Sequence, residues 1–153
     1  MHYRTIDSPI GKIVIEADEV AITGIHFKII KPEAKSQGSE YLLNQCEKEL
    51  SAYFEGTLKE FTVPVRADGT PFRMKVWEEL RKIPYGEVSS YKDIANAIGN
   101  PKAVRAVGGA NHNNPISIII PCHRVIGADG SLTGYGGGLD AKKYLLELEG
   151  SLS

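Results

Sequence analysis

The apolar, largely β-branched run Ile116-Ser117-Ile118-Ile119-Ile120 leads straight into Pro121-Cys122-His123-Arg124-Val125, and no other stretch restricts the folded chain so tightly. The run predicts a buried strand. Pro121 predicts its abrupt end, because proline has no N–H with which to continue a ladder. Cys122 then sits where an element stops and clefts form, with a proton acceptor and a positive charge directly after it. Both neighbours favour thiolate: a free cysteine of pKa ~8.5 is only a few per cent ionised at neutral pH, and an adjacent imidazolium or guanidinium lowers that value. A buried cysteine taken alone is more often inert filler. Filler seldom has His and Arg directly beside it. In an extended strand, adjacent side chains point to opposite faces, so His123 reaches the sulfur only through a water or an irregular turn. This argues against a cysteine-hydrolase dyad, for which His2, His26 and His112 are the remaining histidines and none lies in a protease-like signature.

Length and charge narrow the setting. The 153 residues suffice for one domain or two small ones. Cys46 and Cys122 stand far apart in no paired spacing, which fits a reduced protein better than a disulfide scaffold. No secretory signal and no bilayer-spanning run are visible, so a cytoplasmic protein is expected. The net charge of −1 says nothing for nucleic acid by itself. Its distribution says more. Residues 1–68 carry 8 Lys/Arg against 11 Asp/Glu, whereas residues 69–153 carry 10 against 8. Between 92 and 124, Lys92, Lys102, Arg105 and Arg124 face Asp93 alone, a modest basic surface suited to a few phosphate contacts.

The first part reads as strands and one helix. Lys12–Ala17 and Ala21–Phe27 are rich in Ile, Val and Phe, follow a turn at Ser8–Gly11 and join through Asp18-Glu19, predicting a small antiparallel sheet. Lys31–Ser39 is polar and irregular. Leu42, Leu43, Cys46, Leu50, Tyr53 and Phe54 then recur at helical spacing and make Cys46 a core residue. Phe61–Val65 reads as a further strand before a linker around Ala67-Asp68-Gly69.

The second part is mainly helical. Thr70-Pro71 starts a helix whose stripe is Phe72, Val76, Trp77 and Leu80. Ser90 caps a short helix over 91–98, Gly99 closes it, and Pro101 opens another to about Asn111. Helix, tight turn and helix fit a helix-turn-helix reader and an ordinary helical hairpin equally. Composition tips the balance. Ala103, Ala106, Gly108, Gly109 and Ala110 leave a nearly bare cylinder with Arg105 projecting, so something must approach closely: another part of the protein or a nucleic-acid groove. Thr133–Gly138 reads as a mere turn or as a lid with one tyrosine among glycines. Asp140 is expected to cap a last helix to Glu149, with Tyr144, Leu145 and Leu148 inward. Glu149 lies at a helix end unfavourable for a carboxylate. It is either a solvated charge or a partner for His123.

Taken together, Gly86-Glu87-Val88, Ser90-Tyr91, the run Gly99–Ala110, Asn114-Pro115, Pro121–Val125, Gly134-Tyr135 with Gly137, and Leu145-Leu146 through Glu149-Gly150 closely resemble the O6-alkylguanine-DNA alkyltransferases, also called methylated-DNA-protein-cysteine methyltransferases. Order and spacing fit throughout residues 70–150. The N-terminal part is similar only in length and element order. The resemblance implies an α+β protein: a small N-terminal α/β domain over 1–68, antiparallel sheet plus helix, supporting a mainly helical domain over 69–153 of winged helix-turn-helix character. That second domain would bind double-stranded DNA and carry the chemistry.

The same resemblance implies the roles. The second helix of the pair enters the minor groove with Arg105 and Ala106, a bare helix suiting a groove only ~6 Å wide. Arg105 matches the arginine that fills the space of the everted base; a surface phosphate contact is its plainer reading. Tyr91 matches the tyrosine that hydrogen-bonds the guanine, against a tyrosine that merely packs. Asn114 matches the hinge asparagine tying the recognition helix to the cysteine loop. Cys122 attacks the alkyl carbon on guanine O6, His123 takes the thiol proton through a water, and Glu149 steadies the imidazolium. Val125, Tyr135, Gly136 and Gly137 line the guanine mostly with backbone, while Arg124, on the same substrate side, fixes its loop by an internal ion pair. Some relatives have serine in place of Gly136, and some act on O4-alkylthymine. The thioether has no good leaving group, so each molecule is consumed by one lesion. The expectation includes no cofactor, no metal, no membrane, a monomer, and a place in the cytoplasm, at the nucleoid if prokaryotic. The rival classes are a damage sensor or regulator without transfer, and a cysteine hydrolase that turns over.

Overall fold

Two compact units, Met1–Ala67 and Asp68–Ser153, divide the chain. The computed structural model describes residues 1–27, 40–132, 135 and 137–152. The expected irregular stretch Lys31–Ser39 lies outside the described residues, as do Gly134 and Gly136.

The N-terminal unit begins with a strand that the periodicity did not reveal. β1 (His2–Ser8) pairs antiparallel with β2 (Gly11–Ala17), His2 opposite Ala17 and Ser8 opposite Gly11. Only His2 of β1 is buried, so this edge strand lacks the apolar alternation by which strands are read. β2 is the central strand and buries Ile13, Val14, Ile15 and Ala17. β3 (Ile22–His26) completes the order β1-β2-β3, with a register shift at Glu16/Ala17. Helix α1 (Glu40–Phe54) lays Leu42, Leu43, Cys46, Leu50 and Tyr53 into the core. The strand expected over Phe61–Val65 is reduced to a single parallel bridge between Val65 and Ile22. Pro64 supplies a carbonyl to Ile22 but has no N–H to extend the ladder.

The C-terminal unit opens with α2 (Pro71–Leu80), whose first turn is closed by Arg73 N donating to Thr70 Oγ1 at 3.2 Å. Val76, Trp77 and Leu80 are buried and Phe72 is half-buried. β4 (Ser89–Ser90) runs into α3 (Tyr91–Ala97), where Ser90 and Asp93 form a reciprocal capping box at 3.0 Å each way. Gly99, at φ 77°, ends the helix. The next helix, α4 (Val104–His112), starts later than Pro101 implied, because Ala103 N closes a turn onto Asn100 O at 3.0 Å. Trp77 Nε1 donates to Ala110 O at 2.8 Å and fastens α2 to α4.

The apolar run before the cysteine is not a strand. Pro115 and Pro121 bracket it, Ile119 N bonds Ser117 O at 2.9 Å, Ile120 N bonds Ile116 O at 2.9 Å, and Ile118 takes a left-handed φ of 74°. A β-branched residue in that region is strained and persists only when its surroundings hold it. The holding group is Asn114, whose Oδ1 accepts from Ile116 N at 3.0 Å and whose Nδ2 donates to Ile120 O at 2.8 Å. The run is buried as a coil of turns. It continues into one 3-10 turn, Cys122–Arg124, and then β5 (Val125–Ile126), paired parallel with β4.

Helix α5 (Leu139–Leu148) corrects two expectations. Its N-cap is Gly138, at φ 94°, and Asp140 falls inside the first turn. Its buried face carries Ala141, Lys142, Leu145 and Leu146, while Tyr144 lies on the exposed side. None of the described helices is long and apolar enough to cross a membrane.

Candidate active site

The 3-10 turn resolves the geometric difficulty of adjacent Cys and His by removing the strand altogether. Cys122 N bonds Ile120 O at 2.8 Å and Arg124 N bonds Pro121 O at 3.0 Å, winding three reactive side chains around one buried turn. Cys122 is 3% exposed, and His123 is fully buried. Burial pushes the Cys122 thiol above its ordinary value, opposed by hydrogen bonds from Asn114 and Ser117 and by the charge of Lys142. The sequence expectation credited His123 and Arg124 with activating the sulfur. Arg124 is instead committed elsewhere.

Glu149 is where that charge goes. It caps the C-terminal end of α5, is 5% exposed, and accepts from Arg124 Nε at 2.7 Å and Arg124 Nη2 at 3.0 Å. His123 Nε2 meets the same carboxylate at 2.7 Å. Of its two readings, then, Glu149 is the partner of His123 and also the ion-pair partner of Arg124. Arg124 Nη1 donates to Ile83 O at 2.6 Å, and its guanidinium carbon stands 5.8 Å from the Tyr85 ring centre. A buried guanidinium paired bidentately is well satisfied. Although expected on the substrate side, Arg124 is buried within this network.

His123 is consequently defined at both nitrogens. With Nε2–H donated to Glu149, the neutral ring presents Nδ1 as an acceptor, and Nδ1 is buried with no hydrogen-bond partner among the described residues. Burial lowers the imidazole below its ordinary 6.5 against the pull of Glu149, so the ring is neutral at neutral pH. The folded state therefore refuses a proton that the unfolded chain accepts. Stability is fully present above about pH 6.5 and falls as pH drops below it, by up to about 1.4 kcal/mol per pH unit. Urea midpoints measured across that window should flatten in His123→Gln; an unchanged slope would assign it to other groups.

The remaining site residues surround this centre. Asn114 is buried and fastens the loop before the cysteine, as described above. Asn111, on α4, donates from Nδ2 to Cys122 O at 3.3 Å, a tie the sequence reading missed. Its signal was a polar residue on the helix face shared with Val107 and Ala110. Lys142 was missed as well, although it falls on the apolar stripe three and four residues before Leu145 and Leu146. Its Nζ donates to Val125 O at 2.6 Å, and burial pulls its ammonium down to about 8. Tyr135 is buried with its ring edge-on to His123, centres 6.4 Å apart. Gly137 is half-buried, Val125 is fully buried, and Gly136 lies outside the described residues. Tyr91, half-buried, opens α3; Arg105 and Ala106 are exposed on α4.

On α4, a Cβ added at Gly108 or Gly109 would meet nothing within 4 Å among the described residues. At these two positions the bareness answers to no packing among the described residues, whereas Ala110 is buried. Cys46 is the second thiol, buried in α1 and pushed up to about 12 by burial and the nearby Glu49 and Glu47. Among the described residues, no cluster of His, Cys, Asp and Glu could hold a metal ion.

Known proteins match this chain over nearly its whole length. The model of the 6-O-methylguanine DNA methyltransferase DNA-binding domain matches residues 71–151, and that of the ribonuclease-like domain of the same proteins matches residues 1–67. The methylated-DNA–protein-cysteine methyltransferase of Methanosarcina acetivorans is 49% identical, with 99% of each chain covered. The protein of that name from Mycobacterium tuberculosis is 47% identical over 99% of this chain and 93% of its own. A crystal structure of Mycobacterium tuberculosis OGT in complex with DNA superposes with a TM-score of 0.88 at 47% identity, covering 99% of this chain and 94% of that one.

Proposed function

Since the chain belongs to the 6-O-methylguanine DNA methyltransferase family, and so serves DNA repair by moving an alkyl group from DNA to a protein cysteine, we propose that Cys122 is the acceptor and that it works once. The observation that carries this reading is the buried chain Glu149–His123 beside Cys122, with Nδ1 of the histidine left as the acceptor. The thiol, held protonated by burial, gives its proton through a water to His123 Nδ1. Glu149 holds the imidazolium that forms, and Arg124 holds Glu149. The thiolate attacks the alkyl carbon on guanine O6 in line: a carbon–sulfur bond forms, the carbon–O6 bond breaks, and the electron pair passes to the purine, which takes up the proton. A thioether offers water no leaving group, so sulfur is not regenerated.

The base must leave the stack to reach a sulfur that is 3% exposed. The bare face of α4 suits the minor groove of duplex DNA, with Ala106 allowing approach and Arg105 filling the vacated place. Tyr91 donates to the extruded guanine, and the backbone of Val125, Tyr135 and Gly137 lines it. The unit over residues 69–153 thus carries both binding and chemistry, and residues 1–68 support it. The protein acts as a monomer on O6-alkylguanine in duplex DNA.

Two expected results test this. Repaired lesions counted against added protein should plateau at one per molecule, and continued repair past equivalence would contradict the single-turnover reading. Arg105→Ala should slow repair in duplex by about tenfold or more, given the few kcal/mol that unstacking costs, and leave reaction with free O6-benzylguanine unchanged. Equal losses on both substrates would remove the base-eversion role.

A further inference from the structure

Lys142 is a lysine with no exposed surface, and among the described residues no other lysine is buried. Fully buried lysines are rare because an ammonium loses its hydration, so the fold must have a use for this one. Helix α5 carries it on the face that also bears Leu145, Leu146 and, just past the helix, Glu149. That face packs on the 3-10 turn of Cys122–Arg124. The donation from Nζ to Val125 O, 2.6 Å long, sets the ammonium against the strand that leaves the nucleophile turn. Among the described residues, the titratable groups that feel its charge are Cys122 and His123 of the turn. Glu149 is taken up by two bonds from Arg124 and one from His123.

Burial disfavours both ionised forms, thiolate and ammonium, and each offsets the penalty of the other. Charge acts both ways between them, against the larger effect of burial: the Lys142 ammonium pulls the Cys122 thiol down, and an ionised Cys122 pulls the Lys142 ammonium up. We propose that Lys142 is an electrostatic positioning residue of alkyl transfer, its ammonium anchored on the Val125 carbonyl as the counter-charge that lets Cys122 ionise inside a closed site. The inference rests on Cys122 being the acceptor. Lys142 neither gives nor takes a proton in the step; the thiol proton leaves by His123. When the sulfur becomes a neutral thioether the pair is broken, and the buried ammonium is left with a weaker hold on its own proton.

The test needs no DNA, so its failure and a failure of the repair reading are separable. Labelling of Cys122 by iodoacetamide, followed by peptide mass across pH, reads thiolate fraction in the folded protein. Lys142→Gln should move the inflection up by about one pH unit and slow labelling about tenfold below it, with rates converging at high pH. Lys142→Arg should keep the inflection near its original place. A rate lowered by the same factor at every pH, with the inflection unmoved, would mean that Lys142 only supports the fold and would overturn the proposal. Should the glutamine variant fail to fold, wild-type protein with isotope-labelled lysine side chains answers the same question by NMR. The Lys142 titration is expected to fall once Cys122 carries the label, and an unmoved titration overturns the pairing.

Discussion

Cys122→Ala is expected to abolish alkyl transfer while duplex affinity at fixed salt stays as it was. No second thiol can substitute, since Cys46 is buried in α1 and held up to about 12. The groups proposed to enter the groove, Arg105 and Ala106 on the exposed side of α4, lie on a different element from the nucleophile turn and lose nothing. Removing one sulfur from a site 3% exposed opens a small cavity costing on the order of 1 kcal/mol, too little to unfold the chain. Fluorescence anisotropy on a labelled duplex at constant ionic strength, run beside a transfer assay, separates the two functions. Residual transfer in this variant would point to an acceptor other than Cys122.

Glu149→Gln is expected to damage stability and chemistry together. Glutamine keeps the volume and one carbonyl oxygen for Arg124, but it withdraws the charge that satisfies a guanidinium and orients an imidazole in the same buried place. Breaking a buried pair from one side strands the other charge, at about 3–5 kcal/mol. For a chain of this length that is a fall in Tm on the order of 10 °C. Transfer measured below the new Tm should drop about 100-fold, the low end of what a positioned base contributes, because His123 loses the group that holds its tautomer. A variant as stable and as fast as the parent would show that the carboxylate neither balances Arg124 nor serves His123.

How much of this was legible beforehand follows from what each signal depends on. The core stripe of α1, the Ser90 cap and the Thr70-Pro71 start are local, and they stand where the sequence put them. β1 escaped because an edge strand with one buried residue has no alternation to detect. The run Ile116–Ile120 misled for the opposite reason. Its composition says strand, yet Asn114 and two prolines take its backbone groups into turns, a tertiary choice that overrides β-propensity. At the site, Cys122 and His123 stood out by their place after the apolar run, and Asn114 only through the family resemblance. Three facts needed coordinates: that Glu149 joins His123 to Arg124 across 25 residues of chain, that Asn111 reaches the Cys122 carbonyl, and that Lys142 points inward. Long-range polar pairing leaves no periodic trace. Lys142 shows this best, since a lysine on an apolar stripe reads as a helix-edge residue until its ammonium is found on Val125 O.

The measurement closest to the centre of the account is peptide mapping by mass spectrometry after one equivalent of duplex bearing O6-methylguanine has been repaired. The peptide containing Cys122 should be heavier by the mass of one methylene, in an amount equal to the lesions lost, with every other peptide unchanged. Restored guanine alongside an unmodified Cys122 peptide would contradict the account.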